Sequence, residues 1–166
     1  MQNLPNKLRE NLHSAIHAEH IASSCFGYIA SLTKNGRVRA KFCTFAELAK
    51  NDKESLVGRL SNFGITNFIL EDKCELCKLK PESFSLAGAL NLGLELTSIS
   101  LKFYNELLGA SERLEDKNLF RELIKEKTEQ KNFLKKEKRF VRPDKVTSDF
   151  ISSYCIPEVA AKLWNK

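Results

Sequence analysis

The strongest constraint on the fold is that apolar residues repeat with the spacing of an α-helix in four long segments of the chain. Apolar residues recur three or four positions apart in each segment, and the breaks between segments contain Gly36, Gly64, Pro81 and Gly109. The period predicts helices at about 4–32, 41–62, 82–108 and 111–141. Four helices of this length predict an all-α four-helix bundle.

The chain of 166 residues suits a single domain. We expect the bundle to occupy residues 1–143 and residues 144–166 to form a tail, whose short docking helix begins at Pro157. Apolar runs stop well short of the roughly 18 residues that a membrane span needs, so no membrane partner is predicted. The charged start "MQNLPNKLRENL" lacks the apolar core of a secretory signal, which predicts a cytoplasmic location.

Acidic residues interrupt the apolar faces of the predicted helices at similar depth. Glu19 lies in the middle of the first face, Asp52 lies on the second, and Glu126 lies beside the fourth with Glu129 at its edge. Glu95 lies on the one polar strip of the third helix. Because an unpaired buried carboxylate costs several kcal/mol, two interpretations stay open. The acids hold metal ions, or they face solvent or pair with internal lysines.

The four segments resemble the ferritin-like superfamily and, within it, the rubrerythrin-type di-iron domain. The likeness runs from the first helix to the fourth and rests on the ligand-bearing positions of each helix. The matching positions are Glu19 in "AEHIASSCF", Asp52 and Ser55 in "FAELAKNDKES", Glu95 and Ser98 in "GLELTSISLKF", and Glu126 and Glu129 in "IKEKTEQKNFL". The resemblance implies a ferritin-like bundle with a short C-terminal helix.

The resemblance also implies a di-metal site with redox chemistry on peroxide or O₂, but several positions depart from the family pattern. Ser55 and Glu129 stand where the family has histidines, and Ser98 stands where it has a carboxylate. The implied ligands are all oxygen donors, namely Glu19, Asp52, Glu95, Glu126 and Glu129. Two functions therefore stay open.

The first is a rubrerythrin-like protein with an altered di-iron or di-manganese site, a homodimer with a redox partner. The second is a ferritin-like bundle without metal that acts as an interaction or scaffold module and binds an acidic partner through its basic end. The catalytic residues stay undefined under either interpretation.

Two of the five cysteines form a lone CxxC motif in the longer connection between the second and third helices. Cys74 and Cys77 lie among lysines, which favour a reactive thiolate. A redox pair, half of a zinc site shared across a dimer, and two incidental thiols are the three interpretations. Cys25 and Cys43 fall at helical positions that predict small core residues.

Positive charge concentrates in and after the fourth helix. Residues 116–145 contain eleven Lys or Arg and six Asp or Glu, nearly the whole excess behind the net charge of +6. The basic segment 135–142 suits phosphate or an acidic partner. Cations at the C-terminal end of a helix also complement the helix dipole, so nucleic-acid binding is the less favoured interpretation.

Overall fold

The computed structural model describes residues 6–65 and 85–141. The described part contains four α-helices: α1 (Asn6–Leu32), α2 (Gly36–Ser61), α3 (Leu86–Ala110) and α4 (Leu114–Lys138). The all-α four-helix bundle is thereby confirmed. The docking helix at Pro157, the tail from 144 onwards and the Cys74–Cys77 motif lie outside the described residues. None of the described helices is long and apolar enough to cross a membrane.

Polar side chains fix where two of the helices begin. The side chain of Asn35 accepts a hydrogen bond from the backbone N–H of Val38 at 3.1 Å, and that of Ser85 accepts one from Gly88 at 3.1 Å. Each bond satisfies a backbone donor that the first helical turn leaves without an intrahelical partner. This cap explains why α2 begins at Gly36, earlier than the apolar period alone predicts.

The helices pack so that α1 lies against both α2 and α3, while α4 lies against α3. Their core falls into two apolar clusters along the length of the bundle. The first contains the aromatic trio Phe26, Phe42 and Phe45, whose ring centroids lie 5.7–6.1 Å apart. The second includes Leu12 and Phe120. Cys25 belongs to the first cluster as predicted, but Cys43 is exposed because it lies on the outward side of α2.

A layer of buried polar residues separates the two clusters. In α1 the first cluster begins at Ala22 and the second ends at Ala18, so Glu19 falls in the gap. Asp52 falls in the matching gap of α2, and Lys127 falls in that of α4. The bundle therefore brings charged side chains from three helices to one depth in its interior.

Candidate functional site

Glu19 is the most deeply buried acid of the polar layer, with none of its surface exposed. Both of its oxygens accept hydrogen bonds from distant helices. The Tyr104 hydroxyl of α3 donates to Oε1 at 2.6 Å, and Lys127 Nζ of α4 donates to Oε2 at 2.8 Å. Two strong hydrogen-bond donors stabilise a buried carboxylate, whereas a buried carboxylate without a donor would destabilise the fold.

Lys127 bridges two carboxylates that belong to different helices. Its Nζ lies 2.8 Å from Glu19 Oε2 on α1 and also 2.8 Å from Asp52 Oδ2 on α2. The lysine side chain is only 1% exposed, so water screens neither ion pair appreciably. One ammonium group therefore ties α4 to α1 and α2 at the centre of the bundle.

The carboxylates keep the buried lysine charged. Burial lowers the pKa of Lys127, but Glu19 and Asp52 raise it further in the opposite direction, so the pKa ends above its ordinary value. Burial, followed by the charge of Glu19, raises the pKa of Tyr104 well above its ordinary value. We call the buried polar group formed by Glu19, Asp52, Tyr104 and Lys127 the cluster. At neutral pH it contains an ammonium donor, Lys127, and a hydroxyl donor, Tyr104, that both keep their protons.

Asp52 and Glu126 hold protons more tightly than free carboxyls do. Burial raises the pKa of Asp52 to about 7; the charge of Lys127 opposes this rise and that of Glu19 adds to it. Burial also raises the pKa of half-buried Glu126. Its Oε1 atom has no hydrogen-bond partner among the described residues. Near neutral pH Asp52 therefore holds part of a proton that a free carboxyl would have lost.

The remaining positions implied by the family resemblance do not converge on the cluster. Glu95 and Glu129 are exposed, and Ser55 is exposed with its hydroxyl donating to the backbone oxygen of Asn51. Ser98 is half-buried and its hydroxyl donates to the backbone oxygen of Leu94.

In residues 6–65 and 85–141, no three His, Cys, Asp or Glu side chains come together in a way that could hold a metal ion. Only two of the five implied ligands, Glu19 and Asp52, share a partner, and that partner is an ammonium group. Glu126 adds one further carboxyl beside Asp52. The described residues therefore do not fit a di-metal site.

Sequence reasoning missed the two donors that complete the cluster, Lys127 and Tyr104. The signal for Lys127 is the spacing of buried residues on α4, which alternates between steps of four and three. The buried residues of that stripe are Asp116, Phe120, Leu123, Lys127, Gln130, Leu134 and Glu137. A lysine in the middle of such a stripe faces the core, because the spacing keeps one side of a helix inward.

The charged residues of this α4 stripe all pair with α2. At one end Glu137 accepts from Arg37 Nη2 at 2.7 and 2.8 Å, and at the other end Asp116 pairs with Arg59 Nε. Lys127 pairs with Asp52 between them. The outer pairs have the cation on α2 and the central pair has it on α4. We call these three pairs the α2–α4 ladder; the alternation of charge sets the register of two antiparallel helices.

Comparison with known proteins identifies a fold and no family. No protein-family model matches the chain, and no curated protein matches it. In three dimensions the chain is similar to a conserved hypothetical protein from Mycobacterium tuberculosis whose crystal structure is known. The TM-score is 0.73 with 15% sequence identity, over 84% of this chain and 95% of the other. At this identity the likeness supports the fold alone.

Proposed function

We propose that this chain is a ferritin-like bundle whose inner carboxylates are neutralised by a lysine in place of metal ions, and that it acts as a binding or scaffold module. One observation supports the proposal above all: Lys127 Nζ lies 2.8 Å from carboxylate oxygens of both Glu19 and Asp52. The ferritin-like assignment rests on the sequence resemblance together with the four-helix architecture.

The charge balance of the cluster supports this interpretation. An ammonium group between two carboxylates performs the electrostatic task of a bound cation, and it is supplied by the chain itself. A divalent ion at the same place would have to displace Lys127 and would then lie close to a fixed positive charge. Repulsion between the two cations is strong in a buried site, which favours the lysine over the metal.

The α2–α4 ladder adds a second reason. Asp116 and Glu137, the other buried acids of α4, each have an arginine partner, so Lys127 follows a pattern that serves helix packing. A module of this kind would act through its surface. The predicted homodimer, the redox partner and the role of Cys74 and Cys77 stay predictions.

Metal retention tests the proposal directly. The wild-type chain is incubated anaerobically with Fe²⁺ or Mn²⁺, desalted, and analysed by mass spectrometry for metal per chain. We expect no stoichiometric retention. A Lys127→Met variant removes the internal cation, so we expect Mn²⁺ to raise the melting temperature of that variant and leave the wild type unchanged. Lys125→Met, which changes an exposed lysine of the same helix, is the matched control.

The competing prediction has a clear signature in the same experiment. About two ions per wild-type chain, lost in a Glu19→Ala/Glu126→Ala double variant, would overturn the metal-free proposal. That result would establish a rubrerythrin-like di-metal site, in which Lys127 moves aside on loading, and would call for peroxide assays.

A further inference from the structure

One end of the bundle carries a dense set of exposed cations from two segments that are far apart in sequence. Residues 33–41 contain four Lys or Arg and no acid, and residues 134–141 contain four Lys or Arg and one Glu. All eight cationic side chains are exposed. We call this surface the basic end: Lys34, Arg37, Arg39, Lys41, Lys135, Lys136, Lys138 and Arg139.

Contacts between α2 and α4 join the two segments into one surface. Arg37 Nη2 lies 2.7 Å from Glu137 Oε2, and Lys41 Nζ lies 5.5 Å from the centroid of the Phe133 ring. The two segments together have a net charge of +7, compared with +6 for the whole chain. The rest of the molecule is therefore close to neutral, and the long-range attraction for anions comes from this end.

Helix-dipole compensation explains the cations of α4 but not those of residues 33–41. Lys135, Lys136 and Lys138 lie in the last turn of α4, where cations are favourable. The cations of residues 33–41 lie before and within the first turns of α2, which has no acid in its first turn. Cations are unfavourable at a helix N-terminus, and Glu137 pairs only with Arg37 among them, so the other three, Lys34, Arg39 and Lys41, point to an external anion.

An exposed aromatic ring accompanies the charges. Phe140 is 75% exposed, and Leu114 at the opposite end is the other large hydrophobic residue exposed in the described part of the chain. An aromatic ring beside a group of cations can stack on a base while the cations bind the neighbouring phosphates. Single-stranded nucleic acid presents phosphates and unpaired bases together, and so matches both features.

We propose that the basic end binds single-stranded nucleic acid, with its cations on the phosphates and Phe140 stacked on a base. A membrane surface fits less well, since one exposed ring buries little apolar area and the described residues of this end offer no apolar helix face. This inference deepens the proposed function by naming the partner of the module. It rests on the proposed function only in the premise that the protein acts through its surface.

Fluorescence anisotropy with labelled oligo(dT) and oligo(U) of about 20 nucleotides tests the proposal across a range of salt concentrations. The main variant is Lys135→Gln/Lys136→Gln/Arg139→Gln, and Lys34→Gln/Arg39→Gln tests the contribution of the α2 segment. The matched control, Lys7→Gln/Arg9→Gln/Arg121→Gln, removes three exposed cations near the other end of the bundle.

We expect the wild-type chain to bind both oligonucleotides, with affinity that falls as salt rises. The triple variant of the basic end should flatten the slope of log affinity against log salt by about 2, since each lost phosphate contact on a single strand contributes about 0.7. The control should keep the wild-type slope. Phe140→Ala should weaken binding about tenfold at an unchanged slope, the effect of one lost base–aromatic contact.

Several outcomes would overturn the proposal. They are no binding at low salt, equal losses in the control and the basic-end variants, or no effect of Phe140→Ala. Sedimentation with phosphatidylserine vesicles gives another. If the wild-type chain binds the vesicles but not the oligonucleotides, and the triple variant loses vesicle binding, the surface binds membranes instead. These results are independent of metal retention, which depends on Lys127, so either proposal can fail while the other stands.

Discussion

Lys127 and Glu19 form a buried ion pair between α4 and α1, with Nζ and Oε2 2.8 Å apart and the residues 108 positions apart in sequence. Their side chains are 1% and 0% exposed. An ion pair this deep recovers its large desolvation cost only when each charge has further partners. Asp52 provides one for the lysine, and Tyr104 provides one for the glutamate.

Removal of the lysine should leave uncompensated charge in the core. We expect Lys127→Met to lower the free energy of unfolding by about 3–5 kcal/mol, the usual cost of breaking a buried ion pair from one side. Urea denaturation followed by circular dichroism measures the change. Lys125→Met, at an exposed position of the same helix, should stay within about 0.5 kcal/mol of the wild type.

A compensated variant separates lost charge balance from lost packing. Glu19→Gln/Asp52→Asn/Lys127→Met removes all three charges and should recover much of the stability that Lys127→Met alone loses. If the triple variant is as unstable as the single one, packing of the lysine stem matters more than its charge, and the account of the cluster as an ion-pair centre is wrong.

Tyr104 should stabilise the bundle through its hydroxyl as well as its ring. Tyr104→Phe keeps the ring but removes the donor 2.6 Å from Glu19 Oε1, so the expected cost is about 1–3 kcal/mol. The same substitution in a Glu19→Gln background should cost less, because the charged acceptor is already gone. Equal costs in the two backgrounds would contradict a specific Tyr104–Glu19 bond.

Asp52 should make stability depend on pH. Burial raises its pKa from 3.8 to about 7, so the folded chain binds protons more tightly than the unfolded chain between about pH 4 and 7. This contribution to stability is complete below about pH 4 and is lost as pH rises through about 7. Burial shifts the pKa of Glu126 in the same direction, which adds to the same trend.

The Asp52→Asn variant tests this pH dependence while keeping a polar group beside Lys127. The free energy of unfolding should fall less steeply from pH 4 to 7 in the variant than in the wild type, by up to about 1 kcal/mol per pH unit. Glu122→Gln, which removes an exposed acid of α4 that does not act on Asp52 or Glu126, should keep the wild-type slope. Parallel slopes in Asp52→Asn and wild type would show that another group titrates.

Local periodicity was sufficient to predict which helices exist and that Glu19 and Asp52 face inward. Both conclusions depend on the spacing of neighbours along one helix, and both acids are buried, at 0% and 5% exposure. The partner of these acids was not predictable in the same way. Lys127 lies on a different helix from each of them, and its contact with them depends on how the helices pack.

The family resemblance implied a four-helix architecture, which the structure shows, and a set of ligand positions of which the described residues bring only part together. It aligned Glu95 and Glu129 with metal ligands, but both side chains are exposed, since each lies on the outward side of its helix. Alignment transfers a position along the chain and does not report a substitution elsewhere that changes its surroundings. Lys127, whose Nζ lies 2.8 Å from oxygens of both Glu19 and Asp52, is not among the positions that the resemblance aligned.

The α2–α4 ladder should be strongest where both partners are buried. In the Arg59–Asp116 pair the side chains are 11% and 5% exposed, and Arg59 also lies 4.8 Å from the Phe63 ring centroid. In the Arg37–Glu137 pair the arginine is 66% exposed, so water screens it. We expect Arg59→Ala to cost about 3 kcal/mol or more and Arg37→Ala about 1 kcal/mol or less. Urea denaturation of the two variants decides this, and equal costs would mean that burial does not set the strength of these pairs.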